Sequence, residues 1–304
     1  MLKPSPYTPL SSLRFGELLA DVLPPGVLNV ISGRDPLGAR LAAHPDIRKI
    51  SFTGSTATGK KVAVTAAEDL KRVTLELGGN DPAIVLDDAD PAGVAAGLFA
   101  SAMANAGQVC TAIKRVYVPR AMYGDVLDAL VAQARRATVG DGFTPGVTMG
   151  PVNNAPQFAR VRGLVDAALS AGAKAVTGGR PVDGPGYFYE PTILSGVTDD
   201  MAVVAEEQFG PALPVLPYDD LDDAVERANN SHFGLGSSVW TSDPERGAAL
   251  AQEIQAGTTW VNSHLILTPQ QPFGGVKWSG LGVENGLPGL HEFSDVHVIY
   301  TARA

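Results

Sequence analysis

The sequence predicts an α/β fold: a parallel sheet with helices on both faces. Three observations predict it. Short apolar runs rich in β-branched residues alternate with longer Ala-rich stretches of helical period. That alternation recurs along 304 residues, enough for about two domains that each bury a core. The composition is that of a folded chain, 45% hydrophobic and 18% charged, with 34 Gly and 23 Pro. Gly and Pro together exceed the usual share but stay below the level of low-complexity disorder.

The elements follow in order. Residues 9–23 form an amphipathic helix that stops at Pro24-Pro25-Gly26. A strand is predicted at 27–32, a short helix at 36–43 and a second strand at 47–53. A helix opens at Gly54 and runs to 67; strands follow at 73–77 and 83–86, then a long Ala-rich helix over 91–106. Beyond Cys110 the pattern predicts a strand at 115–118, a helix at 120–137 and a Gly/Pro/Asn-rich connection at 140–156. A helix at 157–171, the start of a strand at 175–176 and a loop at 178–191 come next. The rest reads as helix 221–230, strand 237–240, helix 244–255, strand 258–262 and a Gly-rich loop over 268–289. Residues 296–304 alternate as an edge strand suited to subunit contact. A domain boundary is predicted near 107–114, with a return towards the first domain around 205–211.

Charge and cysteine usage exclude several classes. The net charge of −9 leaves no basic footprint for nucleic acid. No run of 18 apolar residues exists to cross a membrane. The start, Met1-Leu2-Lys3-Pro4, has no apolar signal-peptide core, so a cytoplasmic location is expected. Cys110 is the only cysteine, which rules out disulfides within the chain and a Cys-based zinc site. None of the five histidines has metal-ligand spacing, so no metal is expected.

Few residues could carry chemistry. Cys110 sits in NAGQVCT between a helix and a strand; local sequence leaves a small buried hydrophobe and a functional thiol both open. Glu76 ends an apolar strand and is followed by two glycines, in VTLELGGN. Burial there would raise its pKa towards the range of a general base; a solvent-facing strand end is the plain alternative. In FTGSTATG, at 52–59, strand gives way to helix, and Ser55 and Thr56 can cap the helix or donate to a phosphate. Gly33–Gly38 is a similar Gly-bracketed turn, and neither turn is the G-x-G-x-x-G fingerprint. No G-x-S-x-G elbow occurs, so serine hydrolase chemistry is poorly supported.

Taken together, FTGSTATG at 52–59, LELGGNDP at 75–82, NAGQVCTA at 105–112, EEQFGP at 206–211 and PFGGVKWSGLG at 272–282 resemble the NAD(P)-dependent aldehyde dehydrogenase superfamily. The motifs stand in the family's order across nearly the whole chain. The resemblance implies an aldehyde-dehydrogenase-like fold: residues 1–109 as a nucleotide-binding domain, incomplete at its N-terminal side, 110–290 as a catalytic α/β domain whose segment near 205–211 faces the cofactor, and 291–304 as a C-terminal tail. It implies Cys110 as the nucleophile that forms a thiohemiacetal and then a thioester, with its backbone N–H donating to the oxyanion, and Glu76 as activator of the hydrolytic water. It implies NAD as cofactor, with NADP tolerated. Gly54, Ser55 and Gly59 would lie near the pyrophosphate, Lys3 at the adenosine ribose, Glu207 at the nicotinamide ribose and Phe209 at the nicotinamide end, with Thr56 and Leu77 as further cofactor-binding residues.

Two departures from the family pattern stand out. Members carry a long segment ahead of the Lys-Pro-Ser motif, including an Asn that completes the oxyanion hole; this sequence lacks it, so a truncated chain is expected. Pro6 stands where a ribose-binding Glu is common, which relieves repulsion of a 2′-phosphate. The expected partners are a small aldehyde and other subunits, as a homo-oligomer or paired with a full-length relative. Two other readings remain: a catalytically weak remnant serving as a binding or assembly module, and a thiol esterase without nucleotide. The expectation for the chain alone is little turnover, with Cys110 still alkylated faster than a model thiol.

Overall fold

The computed structural model describes residues 1–303. The chain divides into two compact units, Met1–Phe52 with Ala57–Val73, and Thr53–Thr56 with Thr74–Ala304. The elements of the N-terminal part are α1 (Leu10–Leu19), α2 (Asp35–Ala43), β1 (Lys49–Thr53), α3 (Thr56–Glu68) and β2 (Arg72–Glu76). Asp35 and Pro36 open α2, where an acidic residue and a fixed φ suit the first turn. Its other end is closed by Lys71, whose ammonium donates to the carbonyls of Ala42 and His44, both at 2.8 Å. The strand expected at 27–32 is a single parallel bridge, Leu2 to Val30. Leu2 donates to the Asn29 carbonyl and Ile31 to the Leu2 carbonyl, and a strand extends only as far as its partner does.

The larger unit continues with β3 (Asp81–Val85), α4 (Pro91–Met103), β4 (Ile113–Pro119), α5 (Tyr123–Ala134), α6 (Ala155–Ser170), β5 (Lys174–Thr177), β6 (Thr192–Ser195) and α7 (Ala202–Ala205). It ends with β7 (Ala212–Tyr218), α8 (Leu221–Asn229), β8 (Phe233–Gly234), β9 (Gly236–Trp240), α9 (Pro244–Ala251), β10 (Thr258–Val261), β11 (Val276–Lys277), β12 (Gly280–Leu281) and α10 (Gly286–His291). Seven strands form one sheet in the order β10-β9-β3-β4-β7-β6-β5. Every pairing in it is parallel except β5 with β6. Strand β3, ahead of Cys110, is thus hydrogen-bonded to β4 behind it.

Both faces of this sheet are covered, so β3, β4 and β9 are buried at every residue. Side chains alternate between the faces. Ala83, Val85, Val116 and Val118 pack with Leu98 of α4 and Leu130 of α5. Ile84, Tyr117, Leu216 and Val239 pack with Val165 of α6, Val225 of α8 and Leu250 of α9 on the other side.

Several elements differ from expectation. The helix predicted over 91–106 ends at Met103, because Asn105, Ala106 and Gly107 all turn left-handed at φ 51°, 55° and 72°. β7 escapes a propensity reading because Pro214 and Pro217 interrupt its run, yet it lies between β4 and β6. The Gly-rich stretch 268–289 holds β11, β12 and the start of α10. The edge strand expected at 296–304 is not formed: residues 296–303 pair with no strand, and Val296, Val298, Ile299 and Tyr300 are exposed. Alternation supplies a face but no ladder partner. The last residue of that stretch, Ala304, lies outside the described residues. Among the described residues no helix is long and apolar enough to cross a membrane.

Candidate active site around Cys110 and Glu76

Glu76 is the last residue of β2 and is only 3% exposed. β12 holds it in place: Gly280 pairs with Glu76, and the Leu77 N–H donates to the Ser279 carbonyl at 2.9 Å. The Ser279 hydroxyl donates to the Gly78 carbonyl at 2.7 Å and accepts from the Gly234 N–H at 2.9 Å. Among the described residues, neither oxygen of the Glu76 carboxyl has a hydrogen-bond partner. Burial, helped by the negative charge of Glu284, pushes its pKa up to about 8.

The two glycines after Glu76 are required by what approaches them. A Cβ on Gly78 would run into the Glu207 carboxylate. A Cβ on Gly79 would lie 2.5 Å from the Cys110 carbonyl oxygen and 2.7 Å from Asp81 Oδ1. The Gly79 N–H donates to Glu207 Oε1 at 3.2 Å. The LELGG motif therefore links Glu76 in space to the cysteine turn and to the EEQFGP segment, both distant in sequence.

The Cys110 turn is set up by the left-handed run Asn105-Ala106-Gly107. Left-handed backbone costs an Ala or Asn roughly 1–2 kcal/mol per residue. Close packing sustains it here: a Cβ on Gly107 would strike the Gly210 carbonyl. Gln108 fastens the turn, donating to the Asn105 carbonyl at 2.9 Å and the Pro151 carbonyl at 3.2 Å, and accepting from the Asn153 N–H at 2.7 Å. Cys110 is half-buried. Burial pushes its thiol pKa up, Lys114 opposes that, and the carboxylates of Asp81 and Glu207 reinforce it. This direction runs against the expected fast alkylation, because the nucleophile is the thiolate.

Glu207 is held from both sides. Lys114 Nζ lies 3.6 Å from its Oε1. Gln157 of α6 donates to the carbonyls of Gln208 at 2.8 Å and Phe209 at 2.9 Å. Phe209 itself has a positive φ of 49°. Burial pushes the Glu207 pKa up, while Lys114 and the Gly79 N–H hold it down.

The structure thus gathers Glu76, Leu77, Cys110 and Glu207 around Gly78-Gly79, with Phe209 two residues on. Gly54 joins through its N–H, which donates to the Glu76 carbonyl at 3.0 Å. Ser55 immediately precedes α3, and the Thr56 hydroxyl donates to the Trp278 carbonyl at 3.2 Å. Gly59 is buried within α3. Lys3 lies in the smaller unit, beside Gly38, and donates to the Pro4 carbonyl at 2.9 Å. Within the larger unit, a carboxylate in a glycine cradle is a group that suits ribose hydroxyls; the 13-residue α3, which opens after Gly54-Ser55, has N–H groups of the kind that suit phosphate. Among the described residues no three His, Cys, Asp or Glu side chains cluster so as to hold a metal ion.

Sequence reasoning missed Lys114, Asp81 and His264. The side chains of Asp81 and His264 are wholly buried, with His264 Nε2 3.6 Å from Asp81 Oδ2 and 2.6 Å from the Thr111 carbonyl. The available signal for Lys114 was a pair of cations, Lys114-Arg115, inside the strand run IKRVYV, the first of them four residues after the cysteine.

These features define an α/β protein with a turn-borne thiol whose turn packs on the two glycines that follow a buried, unpaired carboxyl. The chain belongs to the aldehyde dehydrogenase family, whose pattern it matches over residues 1–299. It is 39% identical over 302 residues to aldehyde dehydrogenase 1A1 of Homo sapiens, covering 98% of this chain and 60% of that protein. It superposes with a TM-score of 0.94 on the NAD+ complex of an aldehyde dehydrogenase from Bacillus cereus, at 42% identity, covering 97% of this chain and 60% of that one. An E. coli NADP-dependent enzyme is similar at TM-score 0.93 and 38% identity, with 96% and 61% of the two chains covered. The chain thus spans about 60% of the length of the relatives it matches.

Proposed function

We propose that this chain oxidises an aldehyde to a carboxylic acid with NAD, and that it tolerates NADP. The observation that carries this reading is the Gly78-Gly79 junction, where Glu76, the Cys110 turn and Glu207 meet. Cys110 attacks the carbonyl carbon as a thiolate, forming a C–S bond and a thiohemiacetal whose oxyanion accepts from the Cys110 N–H. A bound nicotinamide dinucleotide would supply the hydride acceptor; as the thiohemiacetal carbon gives up its C–H hydride the oxyanion re-forms the carbonyl, leaving a thioester on Cys110. Glu76 takes a proton from water; the oxygen attacks the thioester, the C–S bond breaks, and the thiolate is regenerated as the acid leaves. Glu207 would hold the nicotinamide ribose, with Phe209 at that end and Leu77 as a further cofactor-binding residue. Gly54, Ser55 and Gly59 would serve the phosphates, with Thr56 as a further cofactor-binding residue, and Lys3 would serve the adenosine ribose.

The cofactor reading is supported by what the relatives are described as binding: NAD+ in the Bacillus cereus enzyme, NADP in that of E. coli. Pro6, in place of a carboxylate, offers no repulsion to a 2′-phosphate. Binding titrations with both cofactors check this; the expected affinities lie within about 100-fold, or 2.7 kcal/mol, of each other. The experiment for the reaction is purified protein with NAD or NADP and a panel of aldehydes, read by reduced-nicotinamide absorbance beside Cys110→Ala. Product formed by the parent chain and abolished in the variant supports the reading. Activity that survives in Cys110→Ala overturns it.

A further inference from the structure

Lys114 has a role that the reaction just described leaves open. Its side chain is 3% exposed, on a strand buried at every residue, and a lysine is retained in such a place only when it is paired. Its partners are specific. Nζ donates to the carbonyls of Cys110 at 2.6 Å, Val109 at 3.0 Å and Ala112 at 3.4 Å, which are three peptide units of one turn. Its counter-charge is Glu207 Oε1 at 3.6 Å, the oxygen that also accepts from Gly79.

We propose that Lys114 is a positioning residue: its buried ammonium ties the Cys110 turn to the Glu207 carboxylate and supplies the positive charge against which the Cys110 thiolate forms. This rests on the reading of Cys110 as nucleophile and Glu207 as the ribose-holding group. The other charged groups packed around the turn point the same way. Asp81, at the head of β3, lies across Gly79 from Glu207 and opposes a thiolate. His264, from the loop after β10, is spent on Asp81 and the Thr111 carbonyl. Arg115, next on β4, is turned away to the carbonyls of Asn80 and Ala228. Glu206 is paired with Arg160. Among the described residues, Lys114 is the cation in contact with both the cysteine turn and Glu207. In a desolvated site an ammonium at this range acts with little screening.

Cys110 is the sole cysteine, so the pH profile of its alkylation by iodoacetamide reads this one thiol. The full chain is compared with Lys114→Met, Lys114→Arg and Glu207→Gln, each first checked for folding by thermal melting. Lys114→Met is expected to move the alkylation midpoint to higher pH and to slow the reaction below it about tenfold. Lys114→Arg, which keeps the charge, is expected to restore most of the rate. Glu207→Gln is expected to move the midpoint down. A folded Lys114→Met with the parent profile, or an Arg variant no better than Met, overturns the proposal. If Lys114→Met does not fold, Glu207→Gln decides, and an unshifted or raised midpoint overturns it. Titration of the parent chain with NAD, followed by tryptophan fluorescence, separates the two readings. Absence of binding with the alkylation shifts intact removes the cofactor reading alone. Binding without the shifts removes the role of Lys114 alone.

Discussion

Glu76 shows what a single residue carries in this fold. A carboxyl closing an apolar strand ahead of two glycines was visible in the sequence. Its environment was not, because the groups that seal it, Ser279-Gly280 and Glu284, come from far along the chain. Its pKa, raised from 4.5 to about 8, has a thermodynamic consequence. The folded chain holds the proton more tightly than the unfolded one. The stabilisation from that bound proton is complete below about pH 4.5 and is lost as pH rises through about 8. Relative to the parent chain, Glu76→Gln should therefore gain melting temperature as pH rises from about 4.5 to about 8, with a constant difference above that. Thermal melts across that range check this, and a pH-independent difference contradicts it. The same ionisation governs hydrolysis, since only the carboxylate takes a proton from water. Release of acid should rise with pH through about 8 and lose that rise in Glu76→Gln, as single-turnover acid release measured over a pH series will show.

At the scale of elements, the motifs were legible and their joints were not. LELGGN, NAGQVC and EEQFGP each read as a separate turn in the sequence; the structure makes them one junction through Gly79. Periodicity located α4 but not its stop at Met103, because left-handed Asn105 and Ala106 are held by tertiary contact rather than by propensity. β7 was hidden by its two prolines, and the tail by an alternation that finds no partner. Gly79→Ala tests the junction: its Cβ would meet two oxygens that belong to backbone and a buried carboxylate, so a loss of about 1–3 kcal/mol is expected from denaturant unfolding. Gly163→Ala is the contrast. Gly163 lies within α6 with nothing within 4 Å of its would-be Cβ, and the substitution should gain about 0.5–1 kcal/mol. Equal effects at the two sites would show that glycine content, not close approach, governs the junction.

Over the whole molecule, the charge balance and the single cysteine bounded the chemistry from the sequence, while the exposed apolar surface emerges only from the fold. Phe293, Val296, Val298, Ile299 and Tyr300 stand in solvent along one C-terminal segment. Apolar side chains clustered in this way favour association. Sedimentation of the purified chain should show concentration-dependent self-association that Val298→Lys with Ile299→Lys weakens; a monomer at all concentrations would contradict this. The central claim, that Cys110 carries the acyl group and Glu76 releases it, is tested most directly by intact mass. Glu76→Gln is mixed with NAD and a simple aldehyde, quenched, and weighed beside the parent chain and a Cys110→Ala, Glu76→Gln double variant. The account predicts a gain of one acyl group that persists in Glu76→Gln, fades in the parent and is absent without Cys110. An unmodified Glu76→Gln chain, or an adduct that survives the loss of Cys110, would contradict it.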